Sequence, residues 1–391
     1  MAKVETRAKK GKSEVFCMKI EEKRRVHGLG QTSYLAELAH LDVAFQPSSS
    51  PAQEEKPLVI FIHGHACTKN SWLNPLQETL GNSPQDFVMC IRFTTADVKN
   101  IEDIKESLPP GTFLFSLIQR PESSRELCSF WDFVQNLGYP TLTWSQKAAN
   151  ERIQLAVEEL EMICKVVLER LGYRRIIFIC HSRGGLVARY FLQRNPHLAS
   201  KILGVVMLST PNQGSKLAIF AEKFSRFRYL SQFVLFGRRI FPQIARSHQS
   251  LEALLGYLKR SVRFLQSEAI QELKPYSSFL EQLKEKEGLE KRLGVPYFHL
   301  AGNRSQYDRI YYLPQGENYL VKIPILYDKL PSFLLPWELI DGKGDGLVAV
   351  CRARLGFERV FEEFRVNHSE ILMDPLVQKR VKEILTQVVD A

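Results

Sequence analysis

The chain has 391 residues, 45% of them hydrophobic and 25% charged, with a formal net charge of +10. Those fractions are typical of a globular protein, and the length is within reach of an α/β enzyme with insertions. No apolar run approaches the roughly 20 residues that span a bilayer. Seven cysteines with no CxxC spacing argue against a disulfide framework.

In chain order, residues 1–15 predict a disordered basic tail. No apolar segment follows it, so it does not read as a secretory signal, and with reduced thiols the expected location is cytoplasmic. The stretch 46–57 (QPSSSPAQEEKP) predicts a linker or loop. Pro57 to Gly64 then forms a continuous apolar run without alternation, as a strand buried on both faces requires. Phe87–Phe93 and Tyr139–Trp144 are further strand candidates, separated by a polar insertion over 94–130 that Pro109-Pro110-Gly111 breaks. Residues 147–171 carry apolar positions at spacings of three and four and predict an amphipathic helix closed by Gly172. Strands are expected at Arg175–Cys180, Ile202–Leu208, Tyr297–Gly302 and Arg359–Val366. Strands alternating with helices predict an α/β fold with a mostly parallel, doubly wound sheet.

The strand ending at Cys180 breaks at His181-Ser182-Arg183-Gly184-Gly185 and continues as a helix, the pattern of a nucleophile elbow. Such a turn strains the serine backbone and lifts the Ser182 hydroxyl clear of the sheet edge. Strand and helix pass so closely that small residues are expected two positions before and two after it. Gly184 meets the second requirement, and Cys180 stands where the first glycine is expected. Cys180 should point into the sheet, so it is assigned to packing and not to nucleophilic attack.

A serine hydroxyl attacks only when a histidine takes its proton, and that histidine needs an acid to fix its tautomer. Downstream, Asp341-Gly-Lys-Gly-Asp-Gly-Leu-Val348 offers Asp345, with Asp341 as the second choice. This run is not a calcium loop, because Lys343 and Arg352 stand at ligand positions. His368, just beyond the last strand, is the only histidine after Asp345 and takes the base role. Attack on an ester also creates an oxyanion that needs preorganised N–H donors. The candidates are the backbone N–H groups of Arg183 and of His65 in His63-Gly64-His65, where Gly64 lets the backbone come close. This chemistry calls for neither cofactor nor metal.

Between Lys216 and Arg263, ten basic residues meet only Glu222 and Glu252. Phe220, Phe224, Phe227, Phe233, Phe236 and Phe241 lie among them, the first three at helical spacing. A basic amphipathic helix of this kind fits peripheral contact with an anionic membrane surface. It fits equally a cap whose Phe face packs on the core. No nucleic-acid module accompanies the basic patch, so a nucleic-acid partner is not expected.

Five stretches, IFIHGH (60–65), CHSRGG (180–185), LSTPNQGS (208–215), GDGLV (344–348) and NHSEIL (367–372), together resemble the α/β-hydrolase superfamily. Within it they are similar to triacylglycerol lipases and the GPI-inositol-deacylase-like group. The resemblance covers 57–93, 139–215 and 290–390 and implies an α/β-hydrolase fold with a helical cap or lid insertion. It implies a core divided into 16–215 and 291–391, the latter carrying acid and histidine, with a lid over 216–290. Two stretches depart from the family, an insertion at 94–130 without a counterpart and a Tyr-, Leu- and Pro-rich insertion at 303–340 before the acid loop. The expected activity is carboxylic-ester hydrolysis on acyl esters of lipids, by a Ser-His-Asp triad and an acyl-enzyme. Acyl transfer, phospholipase action, or an inactive lipid-binding protein on the same fold are the alternatives.

Overall fold

Continuous apolar runs cannot leave either face in water, so they assemble into a sheet covered on both sides. The computed structural model describes residues 38, 40–48, 56–75, 91–94, 113–116, 128–219, 267–306, 309–313, 321–323 and 332–390. Its strands are β1 (Asp42–Gln46), β2 (Leu58–Ile62), β3 (Ile91–Thr94), β4 (Phe113–Ser116), β5 (Thr141–Ser145), β6 (Ile176–His181), β7 (Ile202–Leu208), β8 (Tyr297–Gly302), β9 (Arg309–Tyr312), β10 (Val321–Ile323) and β11 (Val360–Phe364). The helices are α1 (Asn70–Leu73), α2 (Phe130–Asn136), α3 (Ile153–Glu169), α4 (Arg183–Arg194), α5 (Glu268–Glu272), α6 (Ser278–Glu285), α7 (Glu287–Leu293), α8 (Val350–Ala353) and α9 (Pro375–Val389).

Seven strands form the main sheet in the order β1-β5-β2-β6-β7-β8-β11, parallel except for β1, which runs antiparallel to β5. The chain leaves β2 toward β5, then crosses back to β6 and continues to β7. Right-handed crossovers therefore put α2 on one face and α3 and α4 on the other. Alternate side chains obey this division. Leu58, Ile60, Ile62, Phe178 and Cys180 pack with α3 and α4, whereas Val59, Phe61, Ile177 and Ile179 pack with Trp72, Trp131 and the apolar face of α9. The direction of travel reverses between β2 and β6, which opens a crevice beyond their carboxyl ends, where open α/β sheets place their ligand sites.

The structure adds elements that the sequence reading lacked. Strands β4 and β9 lie within 94–130 and 303–340 and pair with each other, Phe113 opposite Tyr312, in a second sheet of order β10-β9-β4-β3. The strand expected over Phe87–Phe93 is described only as β3 and belongs to this second sheet. The helix expected from residue 147 begins at Ile153, because Gln146, Ala149 and Glu151 are held in hydrogen bonds to His63, His65 and Arg183. The basic tail, most of the 46–57 linker, most of 94–130 and the basic aromatic stretch from Phe220 to Arg263 lie outside the described residues. Among the described residues, no helix is long and apolar enough to cross a membrane, and Cys128, Cys164, Cys180 and Cys351 are free thiols.

Candidate active site

Ser182 sits between β6 and α4 with φ 52° and ψ −126°, a left-handed conformation that costs a side-chain-bearing residue about 1–3 kcal/mol. The surrounding backbone enforces it. Ser182 N–H donates to the Leu208 carbonyl at 2.9 Å, and the Ser182 carbonyl accepts from Gly185 N–H at 3.1 Å. A Cβ on Gly184 would stand 2.3 Å from the Ile62 carbonyl oxygen, and one on Gly185 would stand 2.1 Å from Thr210 Oγ1. Both glycines are therefore required by the close passage of α4 over β2 and the loop after β7. Of the three other non-glycine residues with positive φ among the described residues, Ala66 and Ser209 follow the carboxyl ends of β2 and β7, and Tyr276 lies between α5 and α6. Backbone strain thus concentrates around one end of the sheet. Cys180 is fully buried on the face covered by α3 and α4, and burial pushes its thiol well above the usual range, which keeps it un-ionised.

Asp345 and His368, both buried, meet beyond β8 and β11. His368 Nδ1 lies 2.8 Å from Asp345 Oδ2, and His368 N–H donates to the Asp345 carbonyl at 2.9 Å. Asp345 Oδ1 accepts from the N–H groups of Leu347 at 3.0 Å and Val348 at 2.7 Å. Burial alone would raise the pKa of this carboxyl, but His368 and the two N–H donors outweigh it and hold the pKa below the ordinary value. With the Nδ1 proton bound to a carboxylate, Nε2 is the basic nitrogen of His368. Asp341 is exposed and engages Arg365 instead.

His181 links this pair to the elbow. Its Nε2 donates to the His368 carbonyl at 2.9 Å, and the two rings stand 4.7 Å apart between centroids. Gly64 passes directly against the serine, since a Cβ there would lie 3.0 Å from Ser182 Cβ. His63 Nε2 accepts from Gln146 N–H at 2.9 Å, so its Nδ1 carries the proton and donates to the Gly64 carbonyl at 2.9 Å. The His65 ring donates from Nδ1 to the Ala149 carbonyl at 3.2 Å. Burial, reinforced by the nearby Arg183 charge, lowers His63 to about 4 and His65 to about 3. Burial likewise lowers His181 to about 3. All three rings are neutral near pH 7 and act here as hydrogen-bonding groups.

Arg183 is the first residue of α4, so its backbone N–H has no acceptor within the helix. Its side chain is fully buried and turns toward the loop after β5. The sequence gives no role to Gln146, which accepts from that guanidinium, and NHSEIL (367–372) marks the residues flanking His368 without saying what they do. Asn367 Oδ1 accepts from Glu370 N–H at 2.9 Å, and a Glu370 carboxylate oxygen accepts from Asn367 N–H at 3.0 Å. This reciprocal box encloses His368, and Arg304 pairs with the Glu370 carboxylate. Its local signal, an Asn with a Glu three residues later, was present in NHSE. No comparable local signal marks Gln146.

The PGAP1-like alpha/beta domain matches residues 56–235, and a domain of unknown function, DUF7379, matches residues 159–317. Among solved structures, the propeptide form of lipase BlEst2 from Bacillus licheniformis superposes with a TM-score of 0.50 and 16% identity, over 88% of this chain and 53% of that one. The mature form of BlEst2 gives a TM-score of 0.49 and 17% identity, over 87% of this chain and 96% of that one. No curated protein matches in a search by sequence. Sheet order, the PGAP1-like match over residues 56–235 and the superposition on BlEst2 agree, and the chain has the α/β-hydrolase fold.

Proposed function

We propose that this protein is a serine hydrolase that cleaves acyl esters of lipids. Ser182 Oγ attacks the acyl carbonyl while its proton passes to His368 Nε2, and Asp345 holds the imidazole by Nδ1 and stabilises the imidazolium. The tetrahedral oxyanion is received by the N–H groups of Arg183 and His65. As it collapses, the ester C–O bond breaks and the leaving alcohol takes the proton from His368. Water then attacks the acyl-enzyme by the same relay, releasing the carboxylic acid and restoring Ser182. The observation that carries this reading is the 2.8 Å contact between His368 Nδ1 and a buried Asp345, joined through His181 to a serine held at positive φ. The lipid preference rests on the many apolar and few acidic residues between Lys216 and Arg263. Fluorophosphonate labelling and a panel of p-nitrophenyl esters, triglycerides and phospholipids test it. Ser182→Ala is expected to abolish both labelling and hydrolysis with the circular dichroism spectrum unchanged. Activity that survives this substitution overturns the assignment.

A further inference from the structure

The segment between β5 and α3, Gln146 to Arg152, forms neither strand nor helix, yet it collects hydrogen bonds from two sides. On one side stands the loop after β2. Gln146 N–H donates to His63 Nε2 at 2.9 Å and Gln146 Nε2 donates to the His63 carbonyl at 3.1 Å. The His65 ring and Ala66 N–H both donate to the Ala149 carbonyl, at 3.2 and 3.4 Å. On the other side stands Arg183. Its Nη1 donates to Gln146 Oε1 at 3.1 Å and to the Ala149 carbonyl at 3.3 Å, and its Nη2 donates to the Glu151 carbonyl. Among the described residues, no carboxylate forms an ion pair with this fully buried guanidinium.

We propose that the Arg183 side chain is the positioning residue of the oxyanion hole. The residue that offers one N–H donor from its backbone also fixes, through its guanidinium and the Gln146–Glu151 strap, the His63–Ala66 loop that offers the other. The inference rests on the serine hydrolase reading above. Two donors stabilise an oxyanion only while their separation is held, and a planar fork reaches several acceptors at once where an ammonium is a single point charge. Charge adds to geometry, because a guanidinium bonded to carbonyls keeps its positive charge close to the loop where the oxyanion forms.

Steady-state hydrolysis of p-nitrophenyl butyrate, with inhibition by phenylboronic acid, tests this, since the boronate forms a tetrahedral adduct with a serine. For Arg183→Met, kcat is expected to fall about tenfold to a hundredfold while KM moves less than about twofold, the signature of misplaced transition-state contacts. The phenylboronic acid Ki should rise in step with the loss of kcat. Arg183→Lys, which keeps the charge but not the fork, should lie between Arg183→Met and wild type. Gln146→Met cuts the same strap without touching Arg183 and should move kcat and Ki in the same direction. It decides the matter if Arg183→Met does not fold. A folded variant of either residue with wild-type kcat and Ki, even at a lower Tm, overturns the inference and leaves the serine hydrolase reading intact. Hydrolysis that persists in Ser182→Ala removes that reading, and this inference with it.

Discussion

The acid is where residue-scale chemistry is most sharply divided. Asp341 and Asp345 lie four positions apart in one glycine-rich turn, yet their surroundings differ. Asp345 is buried, its carboxylate takes three hydrogen bonds, and its pKa is held low, while Asp341 faces solvent and binds Arg365. Asp345→Asn is therefore expected to lower kcat by about four orders of magnitude, since an amide no longer holds the imidazole in the productive tautomer. Asp341→Asn, losing an exposed ion pair, should leave kcat near wild type. Rates on a p-nitrophenyl ester check both, and a reversed order would move the acid role to Asp341. The sequence prefers Asp345 because Gly346 and the apolar Leu347-Val348 pair follow it, and in the structure its carboxylate, not that of Asp341, stands beside His368. The Arg183 side chain was not legible as a clamp. Its partners lie more than thirty positions away, and no local pattern announces a hydrogen bond to a distant carbonyl.

At the scale of elements, α4 is fixed at both ends by different means. Its start is wedged by Gly184 and Gly185 against β2 and Thr210. Farther along, Arg189 reaches α7 and forms a bidentate pair with Glu290, through Nε at 3.1 Å and Nη2 at 2.7 Å. Tyr297 OH and Gln193 Nε2 satisfy the remaining capacity of that carboxylate, each at 2.9 Å. Glu290→Gln would leave a buried guanidinium without its main counter-charge and should cost about 3–5 kcal/mol in urea unfolding. Replacing Arg189 and Glu290 together by methionine and leucine should cost far less, and equal losses would contradict the desolvation argument. The strands that build this frame were readable because unbroken apolar runs have few other outcomes. β1 was not, since its buried Val43-Ala44-Phe45 is only a three-residue apolar run between Asp42 and Gln46, and neither were β4, β9 and β10, at three or four residues each. Their pairing is set by partners that no local window contains.

At the scale of the whole molecule, four buried imidazoles are held neutral near pH 7. His63, His65, His181 and His299 all have pKa values lowered from the ordinary 6.5, to about 4 for His63 and about 3 for the others, with burial as the first cause in each. Unfolding exposes these rings, which then take up protons below pH 6.5 while the folded state does not until near pH 4 or 3. The unfolded form thus binds more protons across that window, so stability falls as pH drops from about 6.5 toward 4. Asp345 acts the same way at lower pH, since its depressed pKa contributes stability above the ordinary carboxylate range and loses it below. Thermal melts between pH 7 and 4 should show Tm falling steadily from about pH 6.5, and a flat profile would mean that these rings are not buried as neutral groups. The second sheet has a consequence for the order of assembly. During synthesis β3 and β4 emerge together, but β9 follows β4 by roughly 200 residues, so the edge of β4 stays open until most of the chain has left the ribosome. Until β9 arrives, that edge presents unpaired backbone N–H and C=O groups on which another strand can add.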